Sequence, residues 1–268
     1  MARMGRRAQQ RRRNEIILGI FLSAIVIGAI AGGVYFTLTG EKPLDEQTLC
    51  PADGPKGHYV LLVDKTDPLN FTQKYAFVSV LHELVEKRLP KGFLLSVFVL
   101  GEDYTQVAEP LIELCNPGSD DGASEWTANL ERLRQKYKDR FLSPLLARTD
   151  ELVAVEPGKA SPIFEMIQLV GINGFRRHDV SGKRRLIIMS DMLHNTPSYS
   201  MYQREPDFAQ FHDSDYGRKA RAELPGIEVE LHYLINTPRL QTRRNLKFWE
   251  DYFSASGARI VEVRPLEG

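Results

Sequence analysis

The sequence predicts an α/β domain, a mostly parallel sheet with helices on both faces, preceded by one transmembrane helix. Three observations carry this: a long uncharged apolar run near the N-terminus, short apolar runs that end in acids, and helical periodicities between those runs.

The apolar run, residues 16–38, reads IILGIFLSAIVIGAIAGGVYFTL, 23 residues without a charge. At about 1.5 Å per helical residue it covers the roughly 30 Å hydrocarbon layer. A cleaved secretory signal has a shorter apolar region and a small-x-small cleavage site, which Thr37-Leu38-Thr39 does not supply, so an uncleaved anchor is expected. The first fourteen residues hold six arginines and no acid. Such clusters stay on the cytoplasmic side, so residues 1–15 are predicted as a cytoplasmic tail and the remainder as lying outside, in a periplasm or extracellular space. Beside a span, the arginines serve topology and anionic-lipid contact, and no nucleic-acid partner is expected. Ala24, Gly28 and Gly32 recur every four residues and would let two such helices pair as a homodimer, although small residues are common in spans generally.

The whole chain is formally neutral, and setting the six tail arginines aside leaves 29 basic against 35 acidic residues. Cys50 and Cys115 both follow the span, so in an oxidising compartment they are expected to form a disulfide that pins the linker to the domain. Two buried thiols are the alternative. Neither cysteine has the spacing of a zinc site.

Residues 39–57, with Pro43, Pro51, Gly54, Pro55 and Gly57, read as a linker, and the domain is expected over 58–268. Strands are predicted over 58–64, 93–100, 185–191, 227–235 and 258–263 as short buried runs. Phe71, Tyr75, Val78, Leu81, Val85 and Leu89 form the expected core stripe of a first helix, stopped at Pro90-Lys91-Gly92. Further helices are expected over 124–146, capped by Ser124 with Trp126, Leu130, Leu133 and Tyr137 inward, over 161–170, and over 244–253. Residues 195–216 are polar and aromatic without clean periodicity and are expected as an irregular surface insertion. His194 lies three residues beyond Asp191 and could reach the same cleft, but as an isolated loop histidine it reads more readily as a surface residue. Arg176, Arg177, Lys183, Arg184 and Arg185 read as a solvated turn that could also form a basic patch.

In open α/β sheets ligands bind at the carboxyl ends of the strands. Three such ends are polar: Asp64-Lys65-Thr66-Asp67-Pro68 after the first strand, Ala160-Ser161-Pro162 opening a helix, and Ser190-Asp191 after the third strand. Oxygen donors of this kind suit a hard divalent cation such as Mg²⁺. The order of DxT, helix-opening Ser and SD resembles the von Willebrand factor A domain and its metal-ion-dependent adhesion site. That resemblance covers roughly residues 57–265. It implies a cation, Mg²⁺ or else Mn²⁺ or Ca²⁺, held by Asp64, Thr66, Ser161 and Asp191, with Asp67 as an additional ligand or a helix cap. Pro68 stands where the family has its second Ser, which removes one hydroxyl. The same acids could instead cap helices and satisfy loop amides with no ion.

Asp64-Lys65-Thr66 is also similar to the phosphorylated DKT of P-type ATPases and, more loosely, to the haloacid dehalogenases, whose first-strand carboxylate attacks a phosphoryl group. Here strand two ends Leu100-Gly101-Glu102 without the hydroxyl such chemistry uses, and Asp67-Pro68 follows the DKT. No histidine falls in a metalloprotease or hydrolase motif. The expected function is therefore a non-enzymatic, membrane-anchored module that engages a protein partner at the strand ends. The alternatives are a structural subunit with a vestigial site and a dehalogenase-like phosphatase using Asp64.

Overall fold

The computed structural model describes residues 3–39, 43–66, 69–101, 109–119, 130–154, 158–203 and 205–267. Two compact units emerge, Met1–Pro43 and Leu44–Gly268.

The first unit is one helix, α1 (Arg3–Thr39). Its segment Glu15–Tyr35 reaches a mean hydropathy of 2.5 and is long and apolar enough to cross a membrane. Ile16, Phe21 and Ile27 stand exposed, as lipid-facing side chains do when all backbone groups pair within the helix.

In the second unit, β1 (Gly57–Asp64), β2 (Phe93–Leu100), β4 (Arg184–Ser190), β5 (Glu228–Leu234) and β6 (Arg259–Leu266) run parallel, and β3 (Ile112–Cys115) lies antiparallel beside β2. The spatial order is β3-β2-β1-β4-β5-β6. The central strands β1, β2 and β4 are largely apolar on both faces because helices cover both, while β5 turns Glu228, Glu230 and His232 to one of them. On one face Val60, Leu62, Phe98, Ile188 and Leu231 pack against α6 (Ile163–Leu169) and α9 (Arg243–Ala255), whose Phe164, Trp249 and Phe253 are fully buried. On the other, Tyr59, Leu61, Val63, Val97 and Met189 pack against α2 (Phe71–Glu83) and the short helices α3 (Leu130–Tyr137), α4 (Ser143–Ala147) and α5 (Thr149–Val153).

Several expectations are corrected. The strand β3 was not expected; its four residues carry Glu113 in the middle and lack a continuous apolar run. The first helix buries Gln73, Phe77 and Leu81, then Leu84 and Val85 in a π-helical turn over Leu84–Arg88. Phe71 and Tyr75, expected inward, are 85% and 73% exposed. The cap is Asn70, in a reciprocal box with Gln73, which fixes the start of α2 one residue before Phe71. Asp67, Ser124 and Trp126 lie outside the described residues, and the described part of the 124–146 helix begins at Leu130 with Leu133 exposed. Residues 195–216 are not wholly irregular: α7 (Phe208–Asp213) and the start of α8 (Asp215–Lys219) form there, and Phe211 is buried.

Cys50 and Cys115 are bonded, at an S–S distance of 2.06 Å. The pair ties the linker to the edge strand β3, and the bridge Leu44–Pro51 folds the linker on itself. Closing a loop of 65 residues contributes about 4 kcal/mol in the chain-entropy model.

Candidate functional site

Strand order reverses between β1 and β4, the position where open α/β sheets leave a crevice at their carboxyl ends. Asp64 ends β1 and Ser190 ends β4, both buried. The Ser190 hydroxyl donates to Asp64 Oδ2 at 2.7 Å, across that crevice. The Thr66 hydroxyl and backbone N–H donate to Asp64 Oδ1 at 2.6 and 3.0 Å, and the Ser161 hydroxyl reaches Oδ2 at 3.5 Å. One carboxylate thus gathers hydroxyls from three separate loops.

Backbone pairing holds those loops together. Gly158 N–H donates to the Thr66 carbonyl, and Ser161 and Asn195 exchange two backbone bonds of 2.7 and 3.0 Å. The loop after β4 is tightly shaped: Met192 has φ of 56°, a left-handed conformation that costs a β-carbon residue about 1 kcal/mol or more. The turn lets Met192 N–H reach Ser190 Oγ at 2.9 Å and Leu193 N–H reach Asp191 Oδ1 at 2.8 Å. Buried Trp249 locks it by donating its indole N–H to the Met192 carbonyl at 2.8 Å.

Of the residues singled out from the sequence, Asp64, Thr66 and Ser161 come together. Asp191 follows Ser190 directly, but its Oδ1 serves the Leu193 amide and the Tyr202 hydroxyl lies 3.5 Å from Oδ2. Ser190 was read from the sequence as part of the polar Ser190-Asp191 end but not among the expected cation ligands, and it proves to be a direct partner of Asp64. Gln241 was also missed. Its amide donates to the carbonyls of Asp191 and Leu234, joining the β4 and β5 loops.

The donor set is oxygen only, a carboxylate with three hydroxyls, and this chemistry fits a hard cation. Among the described residues, no three His, Cys, Asp or Glu side chains are grouped to hold a metal.

His194, read as a surface residue, is fully buried. Its Nε2 meets the Tyr216 hydroxyl at 2.9 Å, and its ring packs on Phe164 at 4.5 Å between centroids. Burial pulls its pKa down to about 3. The basic turn before β4 is only partly solvated. Arg185 bonds Glu228 and Glu230, and Glu230, with no exposed side-chain surface, is also bonded by Arg88 and by His232 at 2.8 Å. Those guanidinium and imidazole partners hold the Glu230 carboxyl far below its usual range against the cost of burial.

Sheet order, helices on both faces and a polar switch point make the second unit von Willebrand A-like in fold. Several solved structures are similar to the chain at low identity. An aerotolerance-related membrane protein from Bacteroides fragilis is 11% identical, covering 79% of this chain and 91% of that one, with a TM-score of 0.35. The VWA domain of SpRpn10 is 8% identical over 79% and 89%, with a TM-score of 0.38. Manganese-loaded TRAP from Plasmodium vivax is 13% identical over 66% and 57%, with a TM-score of 0.32. No protein-family model matches the chain, and no curated protein is similar to it. At these identities the likeness concerns fold alone and transfers no ligand or residue role.

Proposed function

We propose that the chain is a membrane-anchored binding module whose strand-end face, centred on Asp64, engages a protein partner. The observation that carries this reading is the convergence of the Thr66, Ser161 and Ser190 hydroxyls on one carboxylate at the switch point. Hydroxyls both donate and accept, so they can turn from Asp64 toward an incoming group.

A divalent cation, Mg²⁺ foremost with Mn²⁺ and Ca²⁺ as competitors, would be held by Asp64, Thr66, Ser161 and Asp191, with Asp67 as an added ligand. When bound, the ion supplies positive charge that a partner's carboxylate can complete. The chain's own residues orient the site: Met192 and Trp249 fix the β4 loop, and the Ser161–Asn195 bridge fixes the β4 loop against the start of α6. The second reading, a structural subunit with a vestigial site, is favoured by one fact: both Asp64 oxygens already accept protein hydrogen bonds.

Residues 1–15 are proposed to be cytoplasmic and the domain external, where the Cys50–Cys115 bond forms, in a single-pass inner-membrane protein. The Ala24, Gly28 and Gly32 stripe is the proposed pairing face of two spans. A periplasm-dependent reporter enzyme fused after Gly268 should be active, and activity only of a cytosolic reporter would overturn the topology.

Calorimetric titration of the full chain in detergent with each cation, repeated on Asp64→Ala, tests the site. Heat that vanishes in the variant supports the ion-bearing form; no heat from any cation removes the metal. Loss of partner capture in a folded Asp64→Ala supports the binding module, and unchanged capture supports the structural subunit.

A further inference from the structure

The loop leaving β4 runs through α7 and α8 before β5, and it encloses a cavity of about 120 Å³. One part of its lining is aromatic. Tyr199 and Tyr216 lie parallel within 9° at 5.9 Å between centroids, and Phe211 stands edge-on to Tyr199 at 5.1 Å. These rings are immobilised from behind: Phe211 stacks on Phe164 at 4.6 Å, and the Tyr216 hydroxyl donates to Glu165 at 2.7 Å.

The rest of the lining is polar and includes Glu205, Asp207 and Gln210, all exposed. Asp207 Oδ1 accepts from the Gln210 amide at 3.0 Å as the cap of α7, so its carboxylate has a fixed direction. Glu205 pairs with Arg244, so among the described residues of the lining Asp207 is the deciding charge.

Aromatic surface beside carboxylates attracts organic cations, through ring quadrupole and charge together. An anion would meet the Asp207 carboxylate in the lining. The volume is below the roughly 150 Å³ of an apolar cavity that accepts benzene, so it admits a group of about four or five heavy atoms. We propose that this cavity binds a single alkylammonium group. Its source is either the lysine side chain of a protein or a free primary amine, and the site is independent of the Asp64 centre.

The test uses the ¹⁵N-labelled full chain in detergent micelles, reading the amides of Gln210 and Gly217. n-Butylammonium should shift both saturably, and the neutral isostere n-butanol should bind at least tenfold more weakly. Asp207→Asn keeps a good helix cap while removing the charge, and should weaken n-butylammonium about fivefold with the other amides of α7 and α8 unmoved. A Gly-Lys-Gly peptide that binds more tightly than n-butylammonium assigns the site to a protein side chain; the reverse order assigns it to a free amine. Equal binding of n-butanol, unchanged affinity in Asp207→Asn, or no saturable shift with any probe would overturn the proposal.

Discussion

Two buried carboxylates in the same sheet are handled in opposite ways. Glu230 on β5 is held by the guanidiniums of Arg88 and Arg185 and by His232. Asp64 on β1 is held by the hydroxyls of Thr66, Ser161 and Ser190 and by an amide. Guanidiniums only donate, so the Glu230 network is closed: it matches buried charge with charge and cannot turn outward. The hydroxyls around Asp64 carry no charge and can reverse their role. The first arrangement staples the π-helical turn after α2 to the sheet, and the second keeps a carboxylate adaptable where the strand ends leave a crevice.

The sharpest way to break this contrast is to remove each acid. Glu230→Ala strands two partly buried guanidiniums and should cost about 3–5 kcal/mol in denaturant unfolding. A loss below about 1 kcal/mol would mean the network is not a staple. The disulfide comes next. Converting Cys50 and Cys115 together to Ser should lower stability by about 4 kcal/mol, read as a lowered unfolding midpoint, with the Asp64 site unaffected because the bond sits at the opposite end of β2 and β3.

Acid separates buried histidines from the rest. Burial lowers both His58 and His194 from 6.5 to about 3, with His178 and Arg184 opposing the charged form of His58 and Glu113 favouring it. Unfolded chains therefore bind protons near pH 6.5 that the folded chain refuses until about pH 3. Stability should fall as pH drops through that window, by about 1.4 kcal/mol per pH unit for each histidine. Glu230, its pKa depressed, adds loss below its unfolded value of 4.5. Unfolding midpoints from pH 7 to 4 read the slope, and His194→Phe should remove about one proton from it; an unchanged slope would place that histidine's charge elsewhere.

Smaller effects sharpen the other half. Asp64→Asn retains an acceptor for Thr66 and should cost only about 1–2 kcal/mol while abolishing partner engagement. Phe71→Ala and Tyr75→Ala, on an exposed face, should each change stability by less than about 0.5 kcal/mol. A larger loss in either would show that those rings pack on something within the chain.

Much of this architecture is legible in the sequence because β1, β2 and β4 carry continuous apolar runs, as strands covered on both faces do, while β5 alternates Val229, Leu231 and Tyr233 with Glu228, Glu230 and His232. The edge strand β3 hid its identity behind Glu113, whose partners Ser96 and His178 lie 17 and 65 residues away. The stripe of the domain's first helix holds at Leu81, Val85 and Leu89, all buried, and fails at its first turn, where Phe71 and Tyr75 are apolar yet face outward. Asp64 and Thr66 could be picked from the end of β1, whereas Ser161, which opens α6, was picked as a helix-opening hydroxyl through the family resemblance. The burial of His194 could not, since it depends on Tyr216, 22 residues on. The Arg88–Glu230 pair spans 142 residues and leaves no local trace.

The central claim is that the face around Asp64 meets a partner. Phe71, 85% exposed at the first residue of α2 beyond the Asp64 loop, is the place to read it with a photo-reactive residue in the native membrane. Val261, 40% exposed on the edge strand β6, serves as control. The account predicts a discrete protein adduct at position 71 that disappears when Asp64 is changed to Asn, and none at position 261. An adduct of equal yield with Asn at position 64, or adducts confined to position 261, would contradict it.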